Sequence, residues 1–297
     1  MLAVSATVPA CHRSDAASAP KVVRHAGAAR VVAFGDVHGD LESTRAALRL
    51  AGAIDDADHW IGGKLVVVQT GDQLDRGDQE REILALFDGL VRDAAAAGGA
   101  FIPLDGNHEL MNVAGDFRYV TPGGFAQFGG EAGRAAAFAP GGPMAVRLAS
   151  RPIYAIVGDT IFVHGGILPA HVDAGLETLD LEARAWMRGE APAKPRALVD
   201  KESPLWTRRY GIPDADEPAV CADAATVLKK LGLRRMVVGH TVRDGGISSL
   251  CGGTVWRIDV GLAHVYGGPT QVLELRGKDT KILGAPPTGA PRDPDVK

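Results

Sequence analysis

Short apolar runs that stop at a glycine followed by a polar side chain recur along this chain. Residues 30–34 (RVVAF) are apolar on both faces of an extended backbone and stop at Gly35-Asp36, which predicts a buried strand. Residues 41–50 then carry apolar side chains at helical spacing. Residues 64–69 (KLVVVQ) repeat the strand pattern and again stop at Gly-Asp. The Ala/Leu/Ile pattern over 80–97 predicts a long helix, and Gly98-Gly99 closes it. Residues 100–104 predict a third strand, which runs into Asp105-Gly106-Asn107-His108.

Periodicity is weak over residues 111–148, a Gly/Pro-rich stretch dotted with aromatics that predicts short helices and loops over the strand ends. Strands resume at 153–157 and 160–163, the second ending in His164-Gly165-Gly166. Residues 170–217 predict a helical and loop insertion. A helix over 219–231 feeds a strand at 235–238 that ends in Gly239-His240, and the last strands are expected at 255–259 and 271–275. Residues 1–29, rich in Ala, Ser and Pro, read as a leader or linker. Residues 276–297 read as a tail, disordered from the Pro-rich part at Gly284 onward. The ordered domain is therefore expected over 30–275, with no internal repeat.

Composition narrows the classes. The 297 residues are 46% hydrophobic, 23% charged and 5% aromatic, ordinary for a globular chain of one or two domains. The 32 Lys+Arg against 36 Asp+Glu give a net charge of −4 without a basic stripe, which argues against a nucleic-acid binder. No apolar run reaches the ~18 residues of a membrane span. Thirty-eight glycines and eighteen prolines suit an α/β protein with loop-built sites. The three cysteines, Cys11, Cys221 and Cys251, lack metal-site spacing. Cys11 follows a short apolar stretch like the end of a lipoprotein signal, with Val8 and Ala10 at −3 and −1, but no basic residue precedes it. It is read either as a lipid-anchor remnant or as a stray cysteine. The location is accordingly left between periplasm or cell envelope and cytoplasm. In an exported chain Cys221 and Cys251 are the remaining pair and could form a disulfide.

The chemistry lies at the strand ends. Asp36 and His38 (GDVHG), Asp72 (GDQLDRG), Asn107 and His108 (GNHE), His164 (HGG) and His240 (GH) each stand beside a glycine at the end of an apolar run. Any one of these alone is an ordinary turn or a satisfied core histidine. Five in order are hard to obtain from turns, because strand ends are where an open α/β fold fixes a ligand site. The donors are hard oxygens and imidazoles, which suit Mn, Fe or Zn better than thiolate-seeking metals. Asp72, a short carboxylate at a tight turn, could bridge two ions.

In that order GDVHG, GDQLDRG, GNHE, HGG and GH resemble the signature set of calcineurin-like metallophosphoesterases. The DRG and GNHE forms resemble the phosphoprotein phosphatase (PPP) superfamily, and within it the bacterial-type branch of Shewanella-like phosphatases. The resemblance spans about residues 30–275. It implies an α/β (α+β) fold, a β-sandwich flanked by helices in four αββα layers, with two metal ions at the strand ends. By the same resemblance Asp36, His38 and Asp72 hold the first ion, and Asp72, Asn107, His164 and His240 hold the second. Arg76 binds a phosphate oxygen, His108 with Asp75 forms the proton-donating pair, and Glu109 supports its loop rather than touching substrate.

Two cations about 3.5–4 Å apart can bind phosphate oxygens and lower the pKa of a bridging water to about 7, giving a hydroxide that attacks phosphorus in line. Arg76 suits the developing charge because its planar fork can bind phosphate bidentately. A second phosphate-binding arginine is expected in PLWTRRY, with Arg208 preferred over Arg209, the alternative being a solvated basic pair. Tyr266 in GLAHVYGG falls where the family often has an aromatic, although the eukaryotic SAPNY-like loop is missing. His264 is expected at the surface. His12, His25, His59 and His171 have no motif context, and Trp60, Trp186 and Trp256 read as packing residues.

The expected activity is hydrolysis of phosphomonoesters, with a phosphoprotein (Ser/Thr or Tyr) or a small phosphomonoester as substrate. A dinucleoside-polyphosphate hydrolase shares GDxHG, DRG and GNHE but needs a base-stacking pocket, for which the aromatic-poor motifs offer no clear candidate. A catalytically silent metal-binding or docking module is disfavoured by the completeness of the motif set.

Overall fold

The structure is a computed structural model described for residues 23–286, so Cys11, His12 and the leader reading of residues 1–22 lie outside the described residues. The first half of the chain gives β1 (Arg24–His25), β2 (Val31–Phe34), α1 (Leu41–Leu50), β3 (Val66–Gln69), α2 (Glu80–Ala96) and β4 (Ala100–Pro103). Four short helices follow: α3 (Asn107–Val113), α4 (Pro122–Ala126), α5 (Glu131–Phe138) and α6 (Pro143–Leu148). Next come β5 (Tyr154–Val157), β6 (Thr160–Val163), α7 (Pro169–Ala174), α8 (Leu176–Met187), α9 (Arg196–Val199) and α10 (Pro218–Leu231). The chain closes with β7 (Arg235–Val238), β8 (Ser248–Leu250), β9 (Val255–Arg257), β10 (Val272–Arg276) and β11 (Asp279–Leu283).

The strands form two sheets, one ordered β11-β10-β2-β3-β4 and the other β1-β5-β6-β7-β9-β8. β2, β3 and β4 are mutually parallel, as are β6, β7 and β9, so the motif-bearing ends of both sets point the same way within each sheet. Alternation of side chains sorts the core. Ala155, Val157, Phe162 and Val237 face the cluster built by β2, β3, β4, α1 and α2. Their neighbours Ile156, Ile161, Val163, Met236 and Val238 face a second cluster with Leu179 and Ala183 of α8 and Val227 and Leu228 of α10. Helices, sheet, sheet and helices thus stack in four layers, the αββα sandwich the resemblance implied. The insertion 170–217 supplies α7, α8 and α9.

Three strands carry no apolar run that the sequence could show. β1 is two residues long and pairs Arg24 and His25 with Ile156 and Val157, inside the stretch read as leader. β8 is a three-residue edge strand. Residues 276–283, read as tail, instead turn back on β10 as a hairpin that pairs Val272 with Leu283 and Arg276 with Asp279. β11 is an edge strand facing solvent at most positions, so its sequence stays polar.

Cys221 on α10 and Cys251 after β8 are joined by a disulfide across a separation of 30 residues. Loop-closure entropy for that span is worth about 3–4 kcal/mol. The Cys221→Ser/Cys251→Ser variant is expected to lose about that much in a chemical-denaturation titration, and an unchanged midpoint would show that the crosslink contributes nothing.

Candidate active site

The parallel strands deliver the motif side chains to one place. Asp36 follows β2, Asp72 follows β3 and Asn107 opens α3 beyond β4, while His164 follows β6 and His240 follows β7. The turns are tight enough to force non-glycine residues into the left-handed region: His38, Asp72, Asp75, Arg76 and His240 have φ of 40°, 57°, 68°, 65° and 67°. Such backbone strain costs on the order of 1–3 kcal/mol per residue and collects at functional sites. Glycine is required beside these residues. A Cβ on Gly106 would collide with Asp72 Oδ1, and one on Gly39 would stand 2.6 Å from the carbonyl carbon of Gly77.

Asp72 is the common point. His164 Nε2 lies 3.2 Å, His108 Nε2 3.7 Å and His38 Nε2 3.9 Å from Asp72 Oδ2, while His164 Nδ1 is 3.8 Å from Asp36 Oδ1. Two groups of potential ligand atoms, His38–Asp72–His108 and Asp72–His164–His240, each fit within 4.8 Å. A third group of this kind, Asp216 with Cys221 and Cys251, is taken up by the disulfide.

Hydrogen bonds to backbone carbonyls fix the imidazoles. His38 Nδ1 donates to Leu74 O (3.0 Å), His164 Nδ1 to Thr70 O (2.9 Å) and His240 Nε2 to Trp206 O (3.2 Å). A neutral imidazole that donates from one nitrogen keeps a lone pair on the other, which is how metal-binding histidines are oriented. His164 Nε2 then points a lone pair at Asn107 Oδ1 (2.8 Å) and at Asp72 Oδ2, so acceptors face one another. A cation satisfies this arrangement, and the oxygen and imidazole donors fit a divalent metal.

The electrostatics agree. Burial and the neighbouring Asp259 and Asp72 push the Asp36 carboxyl well above its usual range. Burial would raise Asp72 too, but positive charge beside it, carried by His164 and His108 when they are protonated, outweighs burial and holds it well below. Burial, with His108 adding, pulls His38 down to about 3, and burial with His164 depresses His240. Burial also lifts Asp259 to about 6. His108 goes the other way: burial opposes its charged form, but Asp72 and Asp75 prevail and raise it.

His108 and Asp75 form a pair, with Nδ1 2.5 Å from Asp75 Oδ2. Arg76 Nη1 donates to the hydroxyl of Tyr266, and its guanidinium lies 4.6 Å from the Tyr119 ring centre and 5.3 Å from that of Tyr266. Glu109 is fully buried and its carboxylate accepts from the backbone N–H of Asp72 (2.9 Å), Gln73 (2.9 Å) and Gly106 (2.7 Å). It therefore ties the GDQLDRG loop to the GNHE turn.

Asp36, His38, Asp72, Asn107, His108, His240, Arg76, Arg208 and Tyr266 all line one cavity of about 290 Å³, with His164 and Asp75 buried behind it. Arg208 Nη1 donates to His240 O (3.1 Å), whereas Arg209 turns away to Asp223 (2.9 Å). His264 is exposed and pairs with Asp40. Sequence reasoning missed Tyr119, Thr241, Asp244 and Asp259 in the wall, and Trp206 as a wall residue. Tyr119 sits in the aperiodic middle of the chain, where no motif marks it. The cavity is consequently more aromatic than the motifs suggest. Each tyrosine ring nevertheless already packs against Arg76 and against an imidazole, His108 at 5.0 Å from Tyr119 and His38 at 5.6 Å from Tyr266.

Residues 29–244 match the calcineurin-like phosphoesterase family. The chain is 38% identical to Shewanella-like protein phosphatase 2 of Arabidopsis thaliana, over 83% of this chain and 75% of that protein. It is 30% identical to Shewanella-like protein phosphatase 1 of Plasmodium berghei, over 81% and 69%. A solved cold-active protein tyrosine phosphatase superposes with a TM-score of 0.76 at 26% identity, over 88% of this chain and 78% of that one. With this fold, this constellation of side chains and these relatives, the chain belongs to the calcineurin-like phosphoesterase family and is a metal-dependent phosphatase similar to the Shewanella-like protein phosphatases.

Proposed function

We propose that the chain is a phosphoprotein phosphatase acting at the cavity around Asp72. The observation that supports it best is the convergence on one carboxylate of imidazole and oxygen donors from both sheets, beside the Arg76 guanidinium and the His108–Asp75 pair. Asp36, His38 and Asp72 would hold one cation, and Asp72, Asn107, His164 and His240 a second, with Mn, Fe or Zn the metals that suit these donors. When bound, such a pair supplies Lewis-acid charge for the phosphate oxygens and a water of lowered pKa.

The remaining work falls to the chain. Arg76, steadied by the Tyr266 hydroxyl, presents a planar fork that can take two phosphate oxygens, and Arg208, held at the carbonyl of His240, lines the same cavity. His108, its Nδ1–H held by Asp75, donates the Nε2 proton to the leaving oxygen as the bond to phosphorus breaks, a contribution of about 10²–10⁴-fold. The tyrosine phosphatase among the solved relatives supports phosphotyrosine as the first side chain to examine. A panel of matched phosphotyrosine, phosphoserine and phosphothreonine peptides with added Mn is expected to release phosphate, fastest from phosphotyrosine. Faster turnover of diadenosine polyphosphate than of every peptide would overturn the reading. The packing of both tyrosine rings against Arg76 and histidines argues against that outcome.

A further inference from the structure

We propose that Arg134, on α5 and far from every motif, is the positioning residue that aims the proton-donating His108 through Asp75. The inference rests on the proton-donor reading of His108. Arg134 is completely buried. Its Nη1 donates to Glu80 Oε2 (2.5 Å) and its Nη2 to Glu80 Oε1 (3.0 Å), while Nε and Nη2 both donate to Asn112 Oδ1 (2.8 and 2.7 Å). Asn112 passes the restraint on, its Nδ2 donating to Asp75 Oδ1 (2.9 Å) and to the carbonyl of His108 (2.9 Å). Nη2 of Arg134 itself stands 3.5 Å from the same Asp75 oxygen. Glu80 Oε1 in turn accepts the backbone N–H of Asp75 (2.6 Å), whose φ of 68° needs such an anchor.

One Asp75 oxygen is therefore clamped by the arginine and the asparagine, and the other is left to His108. The rings of Phe128 and Phe138, 5.2 and 4.8 Å from the guanidinium, close the far side, so the fork has one orientation. A buried arginine–glutamate pair is poor evidence of stabilisation, since apolar residues of similar volume often serve as well. What an apolar replacement could not do is fix the rotamer of Asp75 and, through it, the direction of His108 Nε2. Residues of this supporting kind change activity by about 10–100-fold when altered.

The test is the dependence of rate on the leaving group. Arg134→Lys is compared with the parent enzyme on phenyl phosphate and phosphoserine, whose leaving oxygens need a proton, and on 2,4-dinitrophenyl phosphate, whose leaving group does not. The expected result is a fall in kcat of about 10–100-fold for the first two and within about twofold for the third, with KM and bound metal unchanged. Asn112→Ala, which cuts the relay but keeps the Arg134–Glu80 pair, should repeat the pattern. Arg134→Met/Glu80→Met, which removes both charges together, should fold and still show it. An equal loss on all three substrates, or no loss, would overturn the proposal. His108→Ala is the control: if it leaves the ratio between substrates unaltered, the proton-donor reading has failed. If it alters the ratio while Arg134→Lys and Asn112→Ala do not, only the positioning role has failed.

Discussion

His108→Asn lowers kcat by about 10²–10⁴-fold while both cations remain bound. The imidazole is tied at Nδ1 to Asp75 and is raised above its ordinary pKa by Asp72 and Asp75 against the pull of burial, so it holds a transferable proton. Asparagine can keep a hydrogen bond to Asp75 but cannot donate a proton to a leaving alkoxide. The backbone N–H of residue 108 still donates to Asp72 Oδ1 (3.0 Å), so the carboxylate at the centre keeps its orientation. KM should therefore change little. Steady-state kinetics beside metal content by plasma emission decide the matter. Loss of a metal together with the activity would instead make His108 a ligand, as the His38–Asp72–His108 grouping would permit.

Asp72→Asn has the opposite signature, because metal and activity are lost together. Asp72 is shared by both ligand groups, and its Oδ2 lies within 4 Å of three imidazoles. Positive charge beside it, from His164 and His108 when protonated, holds its pKa well below the usual range despite burial. An amide of nearly the same shape can still accept the N–H of His108 but brings no charge to two cations. Affinity should fall by more than about 100-fold, beyond the loss expected of a merely supporting residue. Dialysis followed by metal analysis, with a titration of added Mn against activity, measures it. A variant that keeps two metals and hydrolyses phosphate at a reduced rate would remove Asp72 from the centre.

Much of this was legible from the chain. The strands that carry GDVHG, GDQLDRG, GNHE, HGG and GH are buried at nearly every position, so they read as apolar runs, and the glycines beside each motif side chain mark the turns. What escaped was structure that leaves no periodic trace. β1 is too short to alternate, and β11 faces solvent, so it carries charges where a core strand would carry aliphatics. Tyr119 and Arg134 escaped for another reason. They reach the site from α4–α5 and the loop before them, where side chains serve distant partners rather than a local face. A lone arginine in EAGRAAAF looks like a solvated charge until Glu80 and Asn112 fold against it.

The proposed donors are divided between the two sheets, Asp36, His38, Asp72 and Asn107 from one and His164 and His240 from the other. The first proposed set, Asp36, His38 and Asp72, lies on one sheet, whereas the second joins Asp72 and Asn107 to His164 and His240 of the other. A cation held by that second set would act as a keystone, resisting any sliding of one half over the other. Chelation should accordingly loosen the whole molecule rather than a single loop, so that occupancy of the centre would set the stability of the sandwich as well as serve its chemistry.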